Sequence, residues 1–315
     1  MGEYILQRTI LGFITLVGVS LIIFGLMRVV PGNIADILFD SSGYIDEVQK
    51  KKIEVELGLD KPLHEQYFKW VGGLAKGDLG YSYMSERSAI SEITPRFPVT
   101  LKLAVLTFTF TIVFGVPFGI WSAVEQNGAI DNTLRMISLT ALSLPSFWCG
   151  LLVLMLAVHM FGTIPIYPSE LSGFWHEIWV LTIPALVVGF RSSALILRLT
   201  RSSMLEVLRL DFIRTARAKG ASERSVNYHH ALKNALLPII TLLGMEAGYL
   251  IGGLVIIETV FNIPGMGRYL VDAIRWRDYP IVQNLVLIVA VATVLINFLV
   301  DMMYSWVDPR IKYTG

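Results

Sequence analysis

Residues 10–30 read ILGFITLVGVSLIIFGLMRVV, and Arg28 is the only charged side chain among them. An α-helix needs about 20 apolar residues to cross the hydrocarbon core of a bilayer. A secretory signal peptide, in contrast, has an apolar region of about 7 to 15 residues followed by a small-residue cleavage site. We therefore predict that this stretch is a retained first membrane span, with Arg28 reaching towards the aqueous interface at its far end.

Five further apolar runs of similar length follow it, and the composition agrees with a membrane protein. Of the 315 residues, 54% are hydrophobic and 16% are charged, against about 25% charged in an average soluble domain. The prediction is an all-α polytopic membrane protein with six spans, in which Pro117, Pro145 and Pro184 kink their helices. The later spans are predicted at residues 101–124, 136–161, 179–199, 236–257 and 283–304.

The distribution of charge predicts the orientation in the membrane. Cytoplasmic loops carry an excess of Lys and Arg, and these residues are concentrated between the fourth and fifth predicted spans. The loop between the third and fourth spans contains Glu170 and Glu177 but neither Lys nor Arg. Both termini of this cell-membrane protein are therefore predicted to be cytoplasmic. The net charge of +1 gives no reason to expect nucleic acid as a partner.

The spans and loops divide the chain into four predicted segments. Residues 1–31 form the cytoplasmic N terminus and first helix, and residues 32–98 form a partly helical external segment. Residues 99–304 form the transmembrane domain, with a cytoplasmic loop at 200–235, and residues 305–315 form a cytoplasmic tail. Apolar and aromatic residues in the external segment predict short amphipathic helices there: Ile53, Val55, Leu57, Leu63, Tyr67, Trp70, Val71 and Leu74.

The sequence contains no signature of an enzyme. It has no Gly-x-x-x-x-Gly-Lys-Ser/Thr phosphate loop, no His-Glu-x-x-His and no Gly-x-Ser-x-Gly. Cys149 is the only cysteine, which excludes an intrachain disulfide, and the lone His159 is interpreted as an interfacial residue instead of a metal ligand. We predict no catalytic residue, no metal site and no cofactor on this chain.

Two charged residues lie near the middle of predicted spans and are candidates for the path of a transported solute. A charge at the centre of a bilayer costs about 3 kcal/mol or more unless it has a partner. Arg191 lies in the fourth span, where it would neutralise a carboxylate, and Glu246 lies in the fifth, where it would receive an amine. The alternatives are a structural Arg191–Glu246 pair or contacts with another membrane subunit.

The most informative loop reads LDFIRTARAKGAS at residues 210–222 and HALKNALLP at residues 230–238. It resembles the cytoplasmic coupling loop of permease subunits in binding-protein-dependent ABC importers, whose pattern is Glu-Ala-Ala, three residues, Gly, nine residues, Ile-x-Leu-Pro. Ala216, Gly220 and Leu232 match this pattern. Arg214, Thr215, His230 and Lys233 depart from it. The run Arg-Thr-Ala-Arg-Ala-Lys-Gly is similar to the dipeptide, oligopeptide and nickel permease branch, in its first, B-type subunit.

The resemblance implies a type I ABC importer permease fold and a set of partners. These are a second, homologous permease subunit, two ABC ATPase subunits that carry the ATP and Mg, an external substrate-binding protein, and membrane lipid. Small side chains in the loop favour close packing against an ATPase, and Gly220 favours the end of a short helix. The alternative is a basic loop that topology alone requires. The implied coupling residues are Arg214, Thr215, Ala216, Arg217, Ala218, Lys219, Gly220 and Leu232.

Family-like motifs recur along the whole chain. Pro264, Gly265 and Gly267 predict a turn or re-entrant feature at the outer surface, which either lines the path or is a simple tight turn. Asn33 stands where the family usually has Asp. The other motifs are Pro31-Gly32 and the stretches at residues 57–62, 77–80, 144–148, 199–207, 258–267 and 307–310.

These features predict a permease subunit that forms half of a path for di- or oligopeptides. Nickel chelates and oligosaccharides are alternative substrates within the same family. An ion-coupled secondary transporter is the alternative from another class, although the inverted repeats typical of such proteins are not evident. A membrane-embedded enzyme is disfavoured because the sequence lacks a catalytic constellation.

Overall fold

The computed structural model describes residues 2–29, 51, 55, 58, 60–82, 84–162, 167 and 173–307. Side chains are described for all of these residues except 2–4 and 303–307. Within these ranges the regular secondary structure is helical apart from one short hairpin. The helices are α1 Gly2–Val29, α2 Leu63–Leu74, α3 Ala89–Ile93, α4 Phe97–Val124, α5 Ala129–Ser143, α6 Ser146–Phe161, α7 Phe174–Leu208, α8 Asp211–Ala218, α9 Glu223–Ser225, α10 Leu232–Val260, α11 Met266–Arg275 and α12 Tyr279–Val307.

Five helical stretches in the described residues are long and apolar enough to cross a membrane, and a sixth crossing requires a bent pair. The five are Ile5–Val29, Ala89–Val124, Phe174–Leu208, Glu223–Val260 and Tyr279–Met302. The bent pair is α5 with α6, which meet at an angle of 100°. The α7 helix has 35 residues and is therefore about 52 Å long, which exceeds the hydrocarbon thickness.

This bend shows that the prediction of the third span, at residues 136–161, was wrong in its bounds and its continuity. It was expected to be one helix, but it starts inside α5 and passes through a break at Leu144, whose backbone is extended (φ −96°, ψ 129°). Pro145 explains the break, because a proline disfavours the helical conformation of the residue before it. Pro117 and Pro184 behave differently, since α4 and α7 remain continuous helices around them.

The chain divides into two compact units, and the first contains Met1–Val99 and Pro264–Val294. In this unit α2 packs on α1: the Phe24 and Tyr67 rings meet edge to face at 5.3 Å, and the Ser20 and Tyr67 hydroxyls are 2.8 Å apart. The predicted amphipathic helix around Tyr67 is therefore present as α2. Ile53 and Leu57 lie outside the described residues, as do residues 31–33 and 308–310.

A hairpin of two short strands, each two residues long, follows α2 and was not predicted from the sequence. Strands β1 (Tyr81–Ser82) and β2 (Arg87–Ser88) pair antiparallel, with Tyr81 opposite Ser88. The Ser82 hydroxyl donates a hydrogen bond to the buried carboxylate of Asp278. Burial raises the pKa of Asp278, and the hydrogen bond from Ser82 opposes that shift. This contact fixes the hairpin to the chain segment that precedes α12.

The second unit contains Thr100–Ile263 and Leu295–Gly315, and its helices α4 and α7 pack closely through two glycines. A Cβ atom on Gly119 would lie 2.5 Å from Thr200 Cβ, and one on Gly115 would lie 2.7 Å from Ile196 Cβ. Gly115 and Gly119 form a Gly-x-x-x-Gly pattern, which lets two helix backbones approach in a membrane where hydrophobic burial supplies no driving force.

A buried ion pair joins three helices of the second unit. Asp131 in α5 is fully buried and accepts two 2.7 Å hydrogen bonds from Arg201 in α7. Its carboxylate also accepts a 2.6 Å bond from the Ser122 hydroxyl in α4 and a 2.9 Å bond from the Asn127 amide. Four hydrogen bonds to one carboxylate fix α4, α5 and α7 at this level.

We predict that Asp131→Asn destabilises the protein by about 3–5 kcal/mol, because it leaves the guanidinium of Arg201 without its counter-charge. The measurement is the thermal unfolding midpoint of the purified protein in detergent. Asp60→Asn is the matched control, since Asp60 is exposed and surface changes of this kind are usually within about 0.5 kcal/mol. Equal midpoints for the two variants would contradict the structural role of Asp131.

Candidate functional site

The short helix α8 lies in the predicted coupling loop and is anchored by one side chain. Ile213 is fully buried in a cluster formed by the C-terminal ends of α4 and α7, the segment that precedes α10, and the N-terminal end of α10. Its other buried members are Ile120, Ala123, Met204, Val207, Val226, Ala231, Ala235 and Ile239. Because the cluster contains residues of both α7 and α10, a displacement of α8 would act on both of these membrane-spanning helices.

A π-helical segment, Val226–Ala231, connects α9 to α10. Val226 and Ala231 are five residues apart, yet both are fully buried in the same cluster. A π-turn adds one residue to the turn, so it brings a five-residue spacing onto one face. Helical periodicity alone could not have predicted this arrangement.

The end of α8 confirms the predicted role of Gly220 as a helix stop. Gly220 has φ +83°, and its amide donates to the Arg217 carbonyl at 2.9 Å. The Ala221 amide donates to the Ala216 carbonyl at 3.2 Å. These two bonds define a Schellman motif, in which a left-handed residue closes the helix and satisfies its last carbonyl groups.

The charged residues of α8 are held by carboxylates of the same loop. Arg217 makes a bidentate pair with Glu223 at 2.8 and 3.1 Å, and this pairing raises the pKa of Arg217. Arg214 contacts Asp211 at 3.2 Å. In the described part of the chain, Lys219 has no ion-pair partner. Lys219 is therefore the cation of this short stretch that is left to interact with another molecule.

The predicted coupling residues on α8 divide between its two faces. Ala216 is half-buried on the side of the core, as is Leu232 at the start of α10, whereas Thr215 and Ala218 are exposed. Phe212, which is 42% exposed, belongs to the outward face and was not among the predicted residues. An exposed aromatic side chain beside small residues is a feature of contact surfaces, and this is the signal that could have identified it.

Arg191 and Glu246, the candidates for the translocation path, do not pair with each other. The Arg191 guanidinium lies 5.8 Å from the centroid of the Tyr249 ring. Glu246 is 7% exposed, and its Oε2 atom is buried without a hydrogen-bond partner among the described residues. The structural Arg191–Glu246 pair is therefore wrong for the isolated chain, and Glu246 carries an unmatched polar group inside a span.

The predicted turn at Pro264, Gly265 and Gly267 is shifted along the chain. The left-handed residue is Asn262, with φ +55°, and the Ile263 amide donates to the Glu258 carbonyl at 2.8 Å. Gly265 has an extended conformation before α11, and Gly267 lies inside that helix. Asn tolerates the left-handed conformation better than most residues, so it can end α10 without a glycine.

A groove of the second unit lies among α4, α5, α6 and α7 and has a volume of about 630 Å³. Its walls are almost entirely apolar and include Phe114, Phe118, Trp148 and Phe190. Neither Arg191 nor Glu246 lines it. The groove is therefore chemically unlike a path for a charged or peptide solute.

The described residues contain no group of three or more His, Cys, Asp or Glu side chains able to hold a metal ion. Long apolar helices, together with a small amphipathic helix fixed between two of them, define a polytopic α-helical membrane protein. Comparison with known proteins specifies this class further. Residues 115–313 match the family model of the binding-protein-dependent transport system inner membrane component, and residues 1–104 match the N-terminal model of the same membrane component. The chain belongs to this family of inner membrane components.

Relatives align over nearly the whole chain. The dipeptide transport system permease protein DppB of Escherichia coli (strain K12) is 38% identical, with 99% of both chains covered. The oligopeptide transport system permease protein AppB of Bacillus subtilis (strain 168) is 36% identical, with 99% of this chain and all of the relative covered. A solved structure of the MetNI methionine ABC transporter in inward-facing conformations matches with a TM-score of 0.56 at 19% identity, over 70% of this chain and 97% of the other. The predicted ABC importer permease fold is confirmed.

We predict that Gly220→Ala loosens the end of α8, because a side chain with φ near +83° costs about 1–2 kcal/mol. Faster hydrogen exchange at the Gly220 and Ala221 amide positions would report the loss. Gly220→Asn is the matched control and should exchange at a rate closer to that of the unmodified protein. Open space surrounds Gly220, so equal exchange in both variants would contradict the conformational argument.

We predict opposite effects on stability for two glutamates of α10. Glu246→Met should raise the unfolding midpoint of the purified chain, since leaving a buried polar group unpaired costs about 1–3 kcal/mol. Glu258→Met should lower it, because the fully buried Glu258 accepts a 2.6 Å hydrogen bond from Thr100. The same sign for both substitutions would contradict the assignment of Glu246 as the unpaired group.

Proposed function

We propose that this chain is a permease subunit of an ATP-driven importer and forms half of the translocation path for di- or oligopeptides. In this proposal a second, homologous permease supplies the other half of the path. Two ABC ATPase subunits carry the ATP and Mg, and an external binding protein delivers the solute. The chain itself hydrolyses nothing and carries no cofactor.

The observation that carries the proposal is the construction of α8. One side is fixed by the buried Ile213 in a cluster that includes Met204 of α7 and Ile239 of α10. The other side exposes Phe212, Thr215 and Ala218. A helix with a rigid inner attachment and a small-residue outer face can transmit a push from a bound partner. A basic loop required only by topology would need neither feature.

The proposed mechanism is alternating access. Closure of the ATPase pair on ATP would displace α8, and the Ile213 cluster would transmit that displacement to α7 and α10. These helices carry Arg191 and Glu246, so the movement would change the separation of the two charges. Interfaces between packed helices switch between discrete arrangements more readily than they deform.

Peptide is the proposed substrate class because relatives that align over the whole chain are named as dipeptide and oligopeptide permeases. A zwitterionic peptide would offer its carboxylate to Arg191 and its amine to Glu246. The unmatched Oε2 of Glu246 supports this assignment, because a buried polar group needs a partner in at least one state of the transport cycle. Nickel chelates and oligosaccharides remain the alternatives within the family.

In the proposed topology the protein lies in the inner, cytoplasmic membrane and both termini are cytoplasmic. Residues 32–98 are on the outer side, and the loop 200–235 is on the cytoplasmic side. The excess of Lys and Arg in that loop supports it. The proposed segments are the N terminus with the first helix (1–31), the external segment (32–98), the transmembrane domain (99–304) and the cytoplasmic tail (305–315). The Pro264–Gly267 segment would then lie at the outer end of α10.

The experiment that tests the proposal is uptake of a labelled dipeptide into proteoliposomes that contain this chain and its partner subunits. We expect uptake that depends on ATP. We expect Ala218→Trp to reduce it by about tenfold or more, since overpacking an interface costs about 1–3 kcal/mol. Ser202→Trp is the matched control, because Ser202 is a small exposed residue at the inner end of α7, outside α8.

Two outcomes would contradict the proposal. Uptake by this chain alone, driven by a sodium or proton gradient with no ATPase present, would favour the secondary transporter. Equal uptake with Ala218→Trp and Ser202→Trp would remove α8 from the coupling surface.

A further inference from the structure

A pocket of about 200 Å³ lies in the first unit, and no residue of α8, nor Arg191 or Glu246, lines it. It is formed by the far end of α1, by α2 with the residues before it, by the segment before β1, and by the start of α12. The side chains that matter for its chemistry are Arg28, Lys61, Lys69, Trp70, Asp78 and Gln283.

Arg28 forms the inner wall of the pocket and has no counter-charge among the described residues. Its guanidinium lies 3.5 Å from the centroid of the Phe24 ring and donates to the Gln66 side-chain oxygen at 3.0 and 3.2 Å and to the Phe24 carbonyl at 3.2 Å. No carboxylate in the described part of the chain lies within ion-pair distance of it. A guanidinium has five N–H donors, so Arg28 can bind a further acceptor.

Two lysines converge on the rim of the same pocket. A Cβ atom on Gly58 would lie 3.9 Å from Lys69 Nζ and 4.0 Å from Lys61 Cδ. Neither ammonium group forms an ion pair within the described residues. Asp78 is the carboxylate on the lining, and its Oδ1 already accepts a 2.8 Å bond from the Gly80 amide. The pocket thus has an excess of positive charge.

The independent observation is Gln283, a lining residue that is 3% exposed. Its Nε2 atom is buried and has no hydrogen-bond acceptor among the described residues. Buried side-chain donors are nearly always paired in folded proteins. An unpaired donor on the wall of a pocket lined by unpaired cations indicates that an acceptor bound from outside completes the site.

The chemistry of the walls selects the ligand. Cations together with an amide N–H match a carboxylate, which accepts hydrogen bonds at two oxygens and forms its strongest bonds with charged donors. The volume is below the roughly 300–1,000 Å³ of pockets that hold a whole small molecule. The pocket therefore suits a carboxylate on a short stem instead of an entire solute.

We propose that this pocket, formed by the end of α1, by α2, by the residues before β1 and by the start of α12, is a carboxylate-binding site. Two sources offer this group: the C-terminal carboxylate of a peptide, and an acidic side chain of the external binding protein. The choice between these sources rests on the proposed function, whereas the existence of the site does not.

The test uses the complete permease complex in detergent without ATP. The probes are trialanine, trialanine with an amidated C terminus, and the purified binding protein. The variant is Lys61→Gln with Lys69→Gln, both at exposed positions that are compatible with folding. Lys76→Gln is the matched control, since Lys76 is an exposed lysine of the same segment that does not line the pocket.

We expect the double variant to bind a carboxylate probe at least tenfold more weakly than Lys76→Gln. A loss for trialanine but not for its amide identifies the peptide as the source. A loss for the binding protein, together with a weaker salt dependence of its association, identifies an acidic side chain of that protein. Either result supports the site. Gln283→Leu should reproduce the effect.

Equal affinities in the double variant and the control, for all three probes, would overturn the site. So would the absence of carboxylate binding by the unmodified complex. Failure of ATP-driven uptake is a separate result, because the binding measurement needs no nucleotide. The carboxylate site and the proposed function can therefore fail independently.

Discussion

A bilayer core offers no water to the peptide group, and this constraint governs most of the structure. Every backbone N–H and C=O inside the membrane must find its partner within the chain, which leaves the α-helix as the spanning element for this composition. The five long apolar helices and the bent α5–α6 pair satisfy it. Even the break at Leu144 and Pro145 is short, so few backbone groups lose their helical partners there.

Because lipid is as apolar as leucine, the helices need other reasons to associate. The second unit shows two of them. Gly115 and Gly119 bring α4 into backbone contact with α7, and the Asp131–Arg201 pair, with Ser122, joins α4, α5 and α7. Both devices fix α7, the helix whose C-terminal end contributes Met204 and Val207 to the Ile213 cluster. Under the proposed function, a rigid α7 would let a displacement of α8 reach the membrane-spanning helices.

The buried acidic groups of the second unit fall into two classes, and the difference separates structure from function. Asp131 and Glu258 are fully buried and fully engaged by hydroxyl or guanidinium donors, so they stabilise the helix bundle. Glu246 is also buried, at 7% exposed, but one of its oxygens has no partner among the described residues. Satisfied polar groups stabilise a fold, whereas an unsatisfied one indicates a partner that is absent from the isolated chain. Gln283 in the first unit follows the same logic.

The sequence by itself determined the fold class and the permease family. Runs of about 20 apolar residues predict membrane-spanning helices. The Ala-Lys-Gly at the end of the loop resembles a known coupling element, and its glycine is visible in the sequence because the left-handed backbone at Gly220 favours that residue. The Gly-x-x-x-Gly spacing of Gly115 and Gly119 is also visible in the sequence, but it was not among the predicted features. Contacts between residues far apart in the chain cannot be predicted from the sequence in this way. The partners of Asp131, the π-turn that aligns Val226 with Ala231, the separation of Arg191 from Glu246 and the convergence of Arg28, Lys69 and Gln283 depend on how helices pack. Packing is set by side-chain shape across tens or hundreds of residues of chain, and a one-dimensional pattern carries no information about which faces meet.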